Sequence, residues 1–200
     1  MSTAIHTRPA AIDVGLTILA AREQFRDDYG RRRDPIHEDR LLWRAQSFRH
    51  VVHLLPGQTV LNLGAGDGLF TSQLLKVSRG ENPITAVRFR SQPETFPSLS
   101  GVEILRAGSF PGALQGRKFD LICGMDLVDR RNCDRFLSVV FSLLKPGGHV
   151  VFYESNPQNP ILKARRLFDR NDQRRLLSAS DLKTRFAQAG FTSTLAIYND

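Results

Sequence analysis

Val60-Leu61-Asn62-Leu63-Gly64-Ala65-Gly66-Asp67-Gly68-Leu69-Phe70 is the stretch that decides the fold. An apolar strand runs into glycines spaced G-x-G-x-G, and an apolar helix follows. Glycine tolerates positive φ and close approach to its backbone, so a ligand can lie against such a bend. The helix that opens after it adds free amide donors and a positive dipole end. A glycine-rich bend alone is weak evidence, so its spacing and its sequel carry the reading. The dinucleotide fingerprint is G-x-G-x-x-G. Here the third glycine, Gly68, comes one residue early, and Phe70 follows where small residues are expected.

The sequel is an alternation of strand and helix units. Ile84–Val87, Val102–Leu105 and Phe119–Cys123 read as the second, third and fourth strands. In the helix that follows, Phe136, Val139, Val140, Leu143 and Leu144 fall on one continuous apolar face. Lys145-Pro146-Gly147-Gly148 should stop that helix, and His149–Tyr153 reads as the fifth strand. Beyond it, helices are expected at Ile161–Phe168 and Ser180–Ala189, the latter capped by Ser178 or Ser180. Phe191–Tyr198 reads as a sixth strand. Before the first strand, a helix should begin within Ala10–Ala21. A second, Glu38–Leu55, should pack Leu41, Ala45, Phe48, Val52 and Leu55 on the sheet.

The run L-x-L-G-x-G-x-G at Leu61–Gly68, the F-D-L-I of Phe119–Ile122 and the L-K-P-G-G of Leu144–Gly148 together resemble class I S-adenosylmethionine-dependent methyltransferases. The resemblance covers about half the chain. It implies an α/β, Rossmann-like fold: a mostly parallel sheet of six or seven strands with helices on both faces. Residues 1–56 would be an N-terminal helical segment packing on the core. Residues 57–200 would be the methyltransferase-like domain, lacking its last strand. Ser78–Val87, Asp129–Asn132 and Glu154–Pro157 look like the methyltransferase half of bacterial proteins that join it to a family 2 glycosyltransferase. That likeness points to a saccharide or lipid-linked saccharide as acceptor.

The family implies S-adenosyl-L-methionine as cofactor, lying across the carboxyl ends of the first, second and fourth strands. Carried onto this sequence, Gly64, Ala65, Gly66 and Gly68 would approach its amino-acid moiety and ribose. Ser109 and Phe110 would flank adenine, Met125 would face the sulfonium, and Tyr29 would close over the site from the N-terminal region. The departures are as informative. Asn62 stands where the family's first motif begins with an acid. Arg88 stands at the ribose-binding acid, and Gly108-Ser109 replaces Gly-Asp at adenine. An acid accepts from two ribose hydroxyls, whereas arginine only donates. That loss costs on the order of 1.5–3 kcal/mol, one to two decades of affinity. Glu94 is the nearest acid in sequence that could reach back. Asp126, Asp129 and Glu154 are the acids near the crevice, and so the candidates for a catalytic base. Each is equally explained by loop hydrogen bonding.

Composition agrees with one globular domain: 200 residues, 41% hydrophobic and 24% charged. No apolar run reaches the length of a membrane span. The two cysteines, Cys123 and Cys133, read as free buried thiols of a cytoplasmic protein. His50 and His53 lack a third ligand, so no metal is assigned. The net charge is +8, with arginine pairs and a triplet at 31–33. This fits either an anionic, phosphate-bearing substrate or a solvated surface. There is no strong nucleic-acid signal. Asn156-Pro157 and Asn159-Pro160 follow the fifth strand, not the fourth, which excludes base methylation of the N-P-P-Y kind.

The leading expectation is methyl transfer to a small-molecule or saccharide acceptor. The alternative is a methyltransferase-fold module that no longer catalyses and serves in binding or scaffolding. A nicotinamide-dependent oxidoreductase, with Arg88 on a 2′-phosphate, is the third class.

Overall fold

The computed structural model describes residues 15–33, 36–89, 98–106, 110–160, 163–164 and 175–197, with the side chains of 28–33 excepted. Its sheet has five strands: β1 (Val60–Leu63), β2 (Ile84–Arg88), β3 (Val102–Arg106), β4 (Phe119–Met125) and β5 (Leu144–Tyr153). Their order is β3-β2-β1-β4-β5, and every pairing is parallel. Strands covered on both faces are written as near-continuous apolar runs, and β1 is buried at all four positions. The pairs Leu63–Val87 and Leu63–Gly124 bring the carboxyl ends of β1, β2 and β4 level with one another. The chain proceeds from β1 outward in both directions, so the open crevice of the sheet lies above those three tips.

Helices cover both faces. On one side, α2 (His37–Val51) and α3 (Leu69–Val77) pack Leu41, Ala45, Phe48, Phe70 and Leu74 against Val60, Leu121 and Cys123. On the other, α4 (Cys133–Ser142) and α5 (Ala179–Gln188) cover Leu61, Leu63 and Ile122. Leu19 of the first helix, α1 (Leu16–Arg33), joins them. Alternate β4 residues thus serve opposite cores, as the two-residue strand period requires. Phe48, Phe70 and Phe136 are fully or almost fully buried. Each contributes about 1.5–3 kcal/mol relative to an exposed ring.

Several sequence expectations shift. The second helix ends at Val51 rather than Leu55: Val52 and His53 turn the chain, and Leu55 lies beyond them, exposed. The fifth strand starts early: Leu144 pairs with Phe119, Lys145–Gly148 bulge out, and pairing resumes at Leu121–His149. No strand forms at residues 191–197. Phe191 packs on Phe141 and Phe186, while Leu195 and Ile197 lie exposed, so the described sheet has five strands, not six or seven. The α5 expectation holds to within a residue at each end, with Ser178 Oγ accepting from the Asp181 amide. Most of the helix expected at Ile161–Phe168 lies outside the described residues, as do Glu94, Ser109 and Tyr198.

Candidate active site

The glycine bend forms as its sequence requires. Gly64, Gly66 and Gly68 all have positive φ, at 67°, 54° and 84°. Such values favour glycine over any residue with a Cβ. Gly68 is the N-cap of α3. The Ala65 amide donates to Val87 O (2.8 Å), and the Gly68 amide to Ala65 O (2.8 Å), so the bend is fixed to the tip of β2. Leu127 packs on Gly64 and Gly124, where a Cβ at either position would overlap it.

The donors of that bend are answered from within the chain. On α1, residues 16, 19, 20, 23, 26 and 27 share one helical face, apolar in its first half and charged in its second. The charged half lies over the strand tips. Glu23 is fully buried. Its Oε1 accepts from the Gly66 amide (2.6 Å) and its Oε2 from the Phe89 amide (3.0 Å). Arg26 donates to Gly64 O (2.7 Å) and, through Nε and Nη2, to Asp27 Oδ1 (2.9 and 2.6 Å). Burial opposes the charge on Arg26, yet Asp27 and Glu23 more than offset it and hold the guanidinium protonated. From β2, Arg88 Nε donates to Gly66 O (3.0 Å). A Cβ built on Gly66 would overlap the Arg26 guanidinium and stand 2.5 Å from the Asp27 carboxylate.

One turn earlier, Arg22 spans the tips of β4 and β5. Its Nε donates to Asp126 O (2.6 Å) and its Nη2 to Glu154 Oε2 (2.9 Å). Glu154 Oε1 accepts from the Leu127 and Val128 amides (2.8 and 2.9 Å). Burial pushes the Glu154 carboxyl up to about 7, although Arg22 and the two amides pull the other way. Asp126 has a positive φ of 51°, and its Oδ1 accepts from the amide and hydroxyl of Ser155. Asp129 is fully buried. Against the cost of that burial, Arg131 and the Arg131 and Arg175 amides hold its carboxyl below the usual range. Asp129 therefore ties the β4–α4 loop to the segment before α5.

The remaining expected site residues fall as follows. Asn62 is buried, its Nδ2 donating to Thr71 Oγ1 (2.8 Å) and its Oδ1 accepting from Cys123 Sγ (3.9 Å), so its amide is spent between β1, α3 and β4. Phe110 is buried edge-on against Phe89, 5.3 Å between centroids. Met125 is buried, and its thioether accepts from Arg44 Nη1 at 3.4 Å. Tyr29 lies in α1, its side chain outside the description. Of the arginine pairs, Arg130 and Arg131 face Asp181 and Asp129, which accounts for part of the basic surface internally. Both cysteines are free and buried.

Glu23, Arg26 and Asp27 are the residues sequence reasoning missed. The available signal was the charged half-face of α1, in line with Leu16 and Leu19, which reads as solvated surface when met alone.

The fold and the crevice above the glycine bend define a class I methyltransferase architecture. A family model described as "Methyltransferase domain" matches residues 31–195, and the chain belongs to that family. Among solved structures, the chain is similar to an O-methyltransferase structure from Nostoc punctiforme at 18% identity and TM-score 0.64. That alignment covers 82% of this chain and 53% of the other. It is also similar to a cyclopropane synthase of Mycobacterium tuberculosis (13% identity, TM-score 0.63, 95% and 78% covered). A third likeness is a mycolic acid cyclopropane synthase solved with S-adenosylhomocysteine (15%, 0.65, 90% and 76%). At these identities the likeness is one of fold. An alignment 113 positions long, covering 52% of the chain, is 33% identical to a highly reducing polyketide synthase of Fusarium mangiferae. The matched stretch is 4% of that protein's length, and the chain spans about half of the Nostoc structure.

As α1 lies here, the residues present do not fit S-adenosylmethionine. The space over Gly66 is taken by Arg26 and Asp27, and the amides of Gly66 and Phe89 are taken by Glu23.

Proposed function

We propose that the chain is an S-adenosyl-L-methionine-dependent methyltransferase acting on a small-molecule acceptor. The observation that carries this is the Gly64–Gly68 bend, with three positive φ values at the tip of β1, inside a sequence that matches a methyltransferase domain from 31 to 195. The cofactor supplies an electrophilic methyl group. This chain's own contribution is the bend, set at the strand tips beside the buried Phe89, Met125 and Leu127, which would orient a ligand against backbone rather than water.

The finer reading is an acceptor that carries an anionic group. It is supported by Arg44 on α2. The guanidinium reaches Met125 Sδ and lies 5.8 Å from the Tyr153 ring centroid, while Tyr153 donates its hydroxyl to Arg44 O (2.7 Å). A thioether is a weak acceptor, and burial lowers the Arg44 pKa, helped by the nearby Arg26 and Arg40 and opposed by Asp126 and Tyr153. A saccharide or lipid-linked saccharide acceptor, beside a glycosyltransferase, rests on the stretches at Ser78–Val87, Asp129–Asn132 and Glu154–Pro157 alone. Of the candidate bases Asp126, Asp129 and Glu154, we favour Glu154, whose Oε2 would be open to an acceptor hydroxyl once Arg22 leaves it; two free thiols suit a cytoplasmic setting.

A second reading is favoured by the filled crevice itself: a methyltransferase fold that binds partners without catalysing. Calorimetry with S-adenosylhomocysteine separates the two. Methyl transfer requires binding by the full chain, or by the full chain with Glu23 or Arg26 replaced. No heat and no thermal shift from any of them at millimolar ligand leaves the non-catalytic module.

A further inference from the structure

The crevice of this fold is closed by fewer than two turns of α1. Arg22, Glu23, Arg26 and Asp27 are all at most 8% exposed, although each is charged. Between them they reach the tips of β1, β2, β4 and β5: Gly64 O, the Gly66 and Phe89 amides, Asp126 O and the Glu154 carboxylate. We propose that α1 is a built-in, displaceable competitor for the nucleoside site. The Arg22–Asp27 turn holds the crevice shut, and a nucleoside cofactor enters only when that turn lifts away. The proposal rests on the methyl-transfer reading and deepens it.

Three observations carry it. The first is occupancy, since side chains of α1 stand directly on Gly66, where glycine is required and close approach is its use. The second is chemical imitation. The Glu23 carboxylate takes one backbone donor at the bend and a second just past β2, and Arg26 takes a backbone carbonyl, so the groups a polar ligand would use are already engaged. The third is the quality of the seam. Among the described residues, the buried side-chain nitrogens without a partner are Arg22 Nη1 and Asn132 Nδ2. Arg22 belongs to the closing turn, and Asn132 packs against Gly15 at the start of α1. A buried donor left unpaired costs stability, so the unsatisfied groups collect where α1 docks and not in the sheet core.

The helix is also built to open at one end. Leu19 is fully buried in the core with Leu16 and Ala20 beside it, which anchors the first half. The second half is docked through charge, so its release exposes polar groups that water can solvate. The closing turn precedes residue 31, where the family match begins.

The opposite arrangement is a lid. There Glu23 would stay at the bend and lend its carboxylate to a bound ribose, in place of the acid that Arg88 replaces. Titration of the full chain with S-adenosylhomocysteine, alongside full-length Glu23→Ala, Glu23→Gln and Arg26→Ala, decides between them. Hydrogen exchange of residues 16–33 is followed with and without the ligand. The competitor predicts at least tenfold tighter binding by the variants, and faster exchange in α1 when ligand is added to the unaltered chain. Weaker or equal binding by the folded variants, or slower exchange in α1 on binding, overturns it. Unchanged exchange protection in β1 and β4 certifies that a variant is folded, and the conservative Glu23→Gln guards against loss of the alanine form. No heat from the chain or any folded variant sinks the methyl-transfer reading itself, whereas binding indifferent to the variants sinks only the competitor.

Discussion

Glu154 lends itself to a quantitative test. Its carboxyl sits at the tip of β5 under Arg22, and burial raises its pKa from 4.5 to about 7. The unfolded chain ionises this group near 4.5, so between that pH and 7 the folded state holds a proton the unfolded state has lost. Stability from this group is fully present below pH 4.5 and is lost as the pH rises through 7. Between pH 5 and pH 8 the loss amounts to about 2–3 kcal/mol. Glu154→Gln cannot titrate. Its stability should therefore fall less than the native chain's over the same interval, by about that amount, while other titrating groups cancel in the comparison. Urea denaturation at the two pH values, followed through the single tryptophan, Trp43, about half exposed on α2, measures it. If the native chain and the Glu154→Gln variant lose stability in parallel, Glu154 is ionised throughout. The burial argument would then be wrong.

Three further outcomes follow from other parts of the fold. Asp120 Oδ2 accepts from the Thr59 amide, the Thr59 hydroxyl and Lys145 Nζ, and despite partial burial these hold its pKa at about 2. Asp120→Asn should cost about 1–2 kcal/mol at pH 7, and the difference should vanish as the pH falls from 4 towards 2, read by urea melts. Leu127→Ala removes a fully buried side chain wedged against Gly64 and Gly124, and should lower stability by about 2–4 kcal/mol in thermal or urea unfolding. Burial raises both thiols, Cys133 up to about 12, so neither should react with a thiol reagent at pH 8 until the chain is unfolded, when two should titrate. Rapid labelling of the folded chain would show that one of these sites opens.

The strands were legible because each is an apolar run bounded by turn residues, and β1, β2 and β4 stand where the sequence puts them. The ends were less so. Lys145-Pro146-Gly147-Gly148 reads as a stop between helix and strand, but Leu144 already pairs with Phe119, and the four residues become a bulge inside β5. Phe191–Tyr198 has the residue types of a strand. What decides its state is tertiary: Phe191 is drawn into the aromatic cluster with Phe141 and Phe186, and Leu195 and Ile197 have nothing to cover them. The glycine bend was readable to the residue, since positive φ leaves a mark in sequence. Its occupant was not. Arg22, Glu23, Arg26 and Asp27 look like a solvated helix face, and only the placement of α1 across the strand tips turns that face inward. Arg88 illustrates the same limit: its identity showed that an acid was missing, but not that its guanidinium would bind Gly66 O.

The central claim is that the turn from Arg22 to Asp27 occupies a nucleoside site at the glycine bend. A crystal structure of the full chain grown with S-adenosylhomocysteine tests it most directly. The account predicts the nucleoside over Gly66, with the Gly66 and Phe89 amides freed from Glu23 and the end of α1 displaced. A nucleoside bound there with Glu23 still accepting from both amides, or one bound elsewhere with α1 undisturbed, would contradict it.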